Sequence, residues 1–116
     1  MHLRVIVSGY YGFRNAGDEA MLAGIVAGMR RAALDVELTV LSGDPATTAE
    51  THGVRAIPRL DLRAVRRELR QADLLVSGGG NLFQDATSAR SCLYYLYILR
   101  QAFRAHVPVA VLGQGI

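Results

Sequence analysis

The stretch Leu3-Arg4-Val5-Ile6-Val7-Ser8-Gly9-Tyr10-Tyr11-Gly12-Phe13-Arg14-Asn15-Ala16-Gly17-Asp18-Glu19-Ala20-Met21-Leu22 decides how this chain folds. Leu3 to Ser8 is a β-branched apolar run that stops at Gly9, the pattern of a strand buried on both faces of a parallel sheet. Beyond the glycine-rich turn, Met21, Leu22, Ile25, Val26 and Met29 recur at helical spacing, which predicts a helix from about Asp18 to Arg31. Its acidic start, Asp18 and Glu19, and its basic end, Arg30 and Arg31, complement the helix dipole.

The same alternation continues to the end of the chain. Val36 to Leu41 reads as a second strand closed by the turn residues Ser42, Gly43, Asp44 and Pro45, and Val54 to Ile57 as a short third strand before Pro58. Asp61 then caps a helix with Leu62, Val65 and Leu69 facing inward and Arg63, Arg66, Arg67 and Arg70 facing water. Leu74 to Ser77 is the fourth strand. A long helix opens at Ser88 or Ser91, with Cys92, Leu96, Leu99 and Phe103 as its core stripe and Tyr94, Tyr95 and Tyr97 around it; Val107 to Leu112 is the fifth strand. On the first helix, Ala20, Gly24 and Gly28 stand four apart, and close packing on the sheet would offset the ~1 kcal/mol that each glycine costs there.

Strands alternating with helices require right-handed crossovers, so we expect a Rossmann-like α/β domain over residues 1–116, an open parallel sheet of about five strands with helices on both faces. With strand order 3-2-1-4-5, strands one and four are neighbours whose connections leave on opposite faces. Ligands bind at such a switch point, outside the carboxyl ends of the strands. The loop Gly9 to Gly17 and the loop Gly78 to Thr87 should therefore meet at one rim.

The totals narrow the function. The 116 residues suffice for one domain, and 51% apolar with 20% charged residues is a globular composition. The 13 basic residues are all arginine, spread along the chain among acidic ones, so the net charge of +3 does not describe a nucleic-acid surface. Cys92 is the sole cysteine, which excludes a disulfide framework and suits a reducing compartment. The apolar run at the start is too short for a signal peptide and no stretch reaches the ~18 apolar residues of a membrane span, so a cytoplasmic location is expected.

Neither loop carries a nucleotide fingerprint. GxGxxG is absent, and Gly12 to Gly17 has P-loop spacing but runs into Asp18 and Glu19 where Lys and Ser or Thr are required. Two carboxylates there would repel phosphate; they suit sugar hydroxyls, the loop's own amides, or helix capping. Tyr10, Tyr11 and Phe13 either pack the loop or stack on a sugar ring. In the second loop, Ser77 to Asp85, glycine amides without an adjacent acid tolerate an anion, and Asp85 is the candidate for polarising a hydroxyl. His2, His52 and His106 lie outside both loops and read as surface residues, leaving no evident general acid.

Three separated segments, SGYYGFRNAGDEAML (Ser8 to Leu22), SGGGNLFQDATS (Ser77 to Ser88) and VAVLGQGI (Val109 to Ile116), make the chain resemble the polysaccharide pyruvyl transferase family, in its CsaB-like cell-wall type, over its whole length and in the same order. The resemblance implies a binding role for Asn15, Gly17, Asp18 and Glu19, and for Gly78, Gly79, Gly80, Asn81 and Asp85; from the chemistry of the loops themselves, Tyr10 joins them as a substrate contact and Asp85 is the catalytic candidate. It also implies the N-terminal half of a two-domain enzyme similar to GT-B glycosyltransferases, ending before the helix that should cover its last strand, hence a fragment whose C-terminal half carries the phosphoenolpyruvate-binding Arg and catalytic His. The implied reaction moves pyruvyl from phosphoenolpyruvate, as donor substrate, onto two hydroxyls of a sugar such as N-acetylmannosamine in a lipid-linked cell-wall precursor, with no cofactor or metal. A lipid-linked acceptor would bring the protein to the membrane surface. The alternatives are a glycosyltransferase half using a nucleotide sugar, and a non-catalytic ligand-binding module.

Overall fold

In the computed structural model, which describes residues 2–32, 35–78 and 88–112, the opening apolar run forms strand β1, Leu3–Tyr11. β1 lies at the centre of a five-stranded parallel sheet of order β3-β2-β1-β4-β5, with β2 at Val36–Ser42, β3 at Arg55–Pro58, β4 at Leu74–Gly78 and β5 at Val109–Leu112. This is the expected strand order. The connections are helices α1 (Ala16–Ala32), α2 (Pro45–His52), α3 (Leu62–Gln71) and α4 (Ser88–Arg104).

Because side chains alternate along a strand, β1 feeds two cores. Val5, Val7 and Tyr11 pack with Leu22, Ile25 and Val26 of α1. Ile6 points the other way and joins Val65 and Leu69 of α3 with Ile98 and Ala102 of α4. Helix α1 therefore covers one face and α3 with α4 the other, as right-handed crossovers demand when the direction of winding reverses between β1 and β4.

Several local expectations need correction. Helix α2 falls between the second and third strands, where no helix is expected, although its signals are present: Asp44 caps it through Thr47 N, Pro45 opens it, and Gly53 closes it in the left-handed conformation at φ 64°. It is short and weakly amphipathic, so periodicity alone does not reveal it. The core stripe of α4 is Tyr95, Ile98 and Ala102, whereas Leu96 and Phe103 are 61% and 81% exposed. Residues 93–99 are all apolar or aromatic, so spacing permits several stripes; the Tyr94 and Tyr97 hydroxyls, bonded to Arg59 O and to Arg66, accompany the observed rotation. That bond also draws Arg66 out of the solvent-facing set, and Leu62 is exposed rather than inward. Finally, Gly24 and Gly28 do not pack on the sheet: a Cβ on either would meet nothing within 4 Å.

Candidate functional site

The exits of β1 and β4 are held together by one side chain. Tyr11 is fully buried and its hydroxyl donates to the Gly78 carbonyl at 3.0 Å. Burial, followed by the charges of Tyr95, Asp18 and Glu19, drives its phenol well above the usual range. Gly9 is required beneath this contact, since a Cβ there would collide with the Gly78 carbonyl and the Tyr11 ring. The two loops thus leave the sheet from adjacent points on one rim. Gly78 is described at that rim, while Gly79, Gly80, Asn81 and Asp85 lie outside the described residues.

The first loop is stitched to its neighbours. Gly12, at φ 88°, crosses so close to Ser42 and the Asp44 amide that no side chain fits. Gly43 N donates to Tyr11 O at 2.9 Å, which ties the exit of β2 to that of β1. Asn15 is the N-cap of α1: its Oδ1 accepts from Asp18 N at 3.2 Å and its carbonyl from Glu19 N at 2.9 Å. Gly17 lies exposed in the first turn of α1, and a Cβ there would touch only Asn15 Oδ1, at 3.4 Å.

The two carboxylates of α1 have different environments. Glu19 accepts from Gly12 N at 3.0 Å through Oε2 and contacts His52 Nε2 at 3.0 Å through Oε1. His52 is therefore not a surface residue; its side chain is 6% exposed and brings the C-terminal end of α2 against the first loop. Sequence reasoning missed this because α2 itself was missed. His2 and His106 are exposed, as expected. The carboxylate of Asp18 has no hydrogen-bond partner among the described residues, and burial, with the neighbouring Glu19 charge, raises its pKa. Together Gly12, Arg14, Glu19, Asp44, Thr47 and Thr51 line a cavity of about 200 Å³ on the α1 and α2 face of the rim. Arg14 holds φ 60° there, an unusual conformation for a residue with a Cβ.

On the opposite face stands an arginine that the sequence did not single out. Arg59 directly follows β3, and its backbone N–H donates to Ser42 O at 2.9 Å. Its guanidinium carbon lies 4.2 Å from the Tyr94 ring centre and 5.4 to 5.8 Å from those of Phe13, Tyr10 and Tyr95. Tyr10 and Phe13 stack on each other at 4.1 Å. The Tyr94 hydroxyl donates to Arg59 O at 2.6 Å; burial pushes that phenol up to about 12 although the Arg59 charge pulls it down. The signal available in the sequence was the Tyr-rich helix itself, which needs a cation or a carbonyl for each buried hydroxyl.

The structure therefore gathers Tyr10, Asn15, Gly17, Asp18, Glu19 and Gly78 at one rim, and adds His52 and Arg59 to them. Among known proteins, a family model described as polysaccharide pyruvyl transferase matches residues 15–116. No curated protein gives a significant match. Among solved structures, the chain is similar to S. aureus homoserine dehydrogenase at pH 7.0, with a TM-score of 0.42 and 9% identity over 96% of this chain and 32% of that one. It is likewise similar to the same enzyme at pH 7.5, with a TM-score of 0.39 and 11% identity over 95% of this chain and 32% of that one. The chain spans about a third of the length of those structures.

Proposed function

Because the chain belongs to the polysaccharide pyruvyl transferase family, whose model matches residues 15–116, we propose that it forms the N-terminal half of an enzyme that transfers pyruvyl from phosphoenolpyruvate to a sugar as a ketal. The acceptor in this reading is an N-acetylmannosamine unit of a lipid-linked cell-wall precursor, handled at the cytoplasmic membrane surface. The partner half is a second α/β unit closing a GT-B-like cleft over the rim.

The observation that supports the reading, beyond the family, is the bond from the Tyr11 hydroxyl to the Gly78 carbonyl, which sets the first loop beside the exit of β4. A sugar lying across that rim meets the carboxylates of Asp18 and Glu19 on one side and Gly78, where the glycine loop begins, on the other. Carboxylates accept hydrogen bonds from hydroxyls and orient their lone pairs toward an electrophile. Asp85 acts on the attacking hydroxyl, while Asn15, Gly17, Tyr10 and the amides of Gly78, Gly79, Gly80 and Asn81 hold the substrates.

In the reaction a general acid protonates the methylene carbon of phosphoenolpyruvate, and its second carbon becomes cationic. One sugar hydroxyl adds there and loses its proton. Phosphate then leaves with its bonding electrons, and the second hydroxyl closes the ketal, its proton passing to phosphate or to the spent acid. Donors aimed at the developing charges carry most of the acceleration in such a step.

The test is turnover by the intact protein. It should release inorganic phosphate from phosphoenolpyruvate only when an N-acetylmannosamine-containing acceptor is present, and Asp85→Ala should lower that rate by roughly a hundredfold or more, the usual weight of acid–base help. Release of a nucleoside diphosphate from a nucleotide sugar, with phosphoenolpyruvate ignored, would replace this reading by a glycosyltransferase one.

A further inference from the structure

Arg59 presents more hydrogen-bond donors than the described residues satisfy. Among the described residues its Nε is buried with no hydrogen-bond partner, its Nη2 reaches only the Tyr95 hydroxyl at a long 3.5 Å, and no carboxylate pairs with it. A guanidinium carries five donors, and four aromatic rings satisfy its charge in part but none of its N–H groups. Three other arginines are paired: Arg55 with Glu37 and Glu68, Arg4 with Gln71 and Arg30 with Gly53 O. A second unpartnered polar group lies on the same face of the same rim. Ser8 is 1% exposed and its hydroxyl makes no hydrogen bond among the described residues, although it pairs across the sheet with Ser77 at the end of β4. By alternation from Ile6, Ser8 and Tyr10 project toward the α3 and α4 side, where Arg59 sits.

Buried polar groups without partners demand an explanation, and a forked cation complements an oxyanion, carboxylate or phosphate; the hydroxyls beside this one favour phosphate, whose additional oxygens accept from them as well. We infer that Arg59, walled by Tyr10, Phe13, Tyr94 and Tyr95 at the carboxyl rim, binds the phosphate group of a substrate. The stacked Tyr10 and Phe13 rings, 39% and 40% exposed, give an apolar surface beside Arg59 for whatever carries that phosphate. This deepens the transfer reading, on which it rests only for the phosphate's carrier: the donor, or a phosphate borne by the sugar acceptor. The anion thus goes to the α3 and α4 face, away from the carboxylates of Glu19 and Asp44 that line the cavity on the other face.

The experiment measures protection of Arg59 in the intact protein. Phenylglyoxal modification, mapped by peptide mass, should be slowed at Arg59 by inorganic phosphate and not by chloride of equal ionic strength, while exposed Arg63 and Arg67 react unchanged. Phosphoenolpyruvate and N-acetylmannosamine 1-phosphate form the two source arms, and the better protector identifies the carrier. In titration calorimetry, Arg59→Gln should weaken that ligand by roughly tenfold or more, the worth of a hydrogen bond to a charged group. Arg59→Lys, which keeps the charge but not the fork, should fall between. Equal modification rates with and without all three phosphates would overturn the site even if Arg59→Gln fails to fold. Protection at Arg59 without phosphoenolpyruvate turnover would keep the site and remove the transfer reading; turnover at full rate in Arg59→Gln would do the reverse.

Discussion

Asp18 has a carboxyl pKa above its ordinary 3.8 because burial and the Glu19 charge both disfavour ionisation. The folded state therefore holds its proton more tightly than the unfolded chain does. Stability falls as pH rises from 3.8 through the folded value, and the full penalty remains at neutral pH. Asp18→Asn should accordingly raise stability at pH 7 by a few tenths of a kcal/mol, kept small by solvent screening, and leave it unchanged below pH 3.8. Denaturant melts at the two pH values check this; a less stable mutant at pH 7 would mean that attraction to the start of α1 outweighs desolvation. Under the proposed function, that disadvantage makes Asp18 a candidate for serving a ligand. The motif residues Tyr10 to Glu19 were legible as a site candidate because their types and spacing sit in one continuous loop. Arg59 and His52 were not, because each reaches the rim from a different connection, and only tertiary packing brings Arg59 under Tyr10 or His52 against Glu19.

At the scale of the element, α1 is aimed by its start. Asn15 caps it, and Glu19, one turn in, reaches back to the Gly12 amide, so the helix and the loop before it form a single rigid corner. Asn15→Ala should lower global stability by about 1 kcal/mol, and Asn15→Asp or Asn15→Ser should restore most of it; urea melts read the difference. If Asn15→Ala is neutral, the corner is held by Glu19 alone. The strands and the long helices were readable from β-branched runs and from 3.6-residue spacing, which tertiary structure follows closely here. Two features were not. Helix α2 has capping residues but little apolar face, and α4 has too much apolar surface for spacing to select its inner side. In the first case local polar chemistry decides, and in the second the hydroxyls of Tyr94 and Tyr97 do.

For the whole molecule, the strand order was readable because crossover handedness leaves few arrangements for five alternating strands. The sheet is graded from centre to edge: β1 is bonded on both sides, whereas β5 pairs only with β4 and leaves Val111 71% exposed. Amide hydrogen exchange should be slowest at Val5 to Val7 and fastest, among the strands, at residues 109–112. Comparable protection in β5 would show that something covers it in solution. The central pairing of Val5 with Leu74 also joins points about seventy positions apart along the polypeptide. During synthesis β1, α1, β2, α2 and β3 can assemble from near neighbours as they emerge, but β1 must wait with one edge bare until β4 is made. The meeting of the β1 and β4 exits, on which the proposed site depends, is therefore made late, and until then the bare edge of β1 is open to chaperone capture or mispairing.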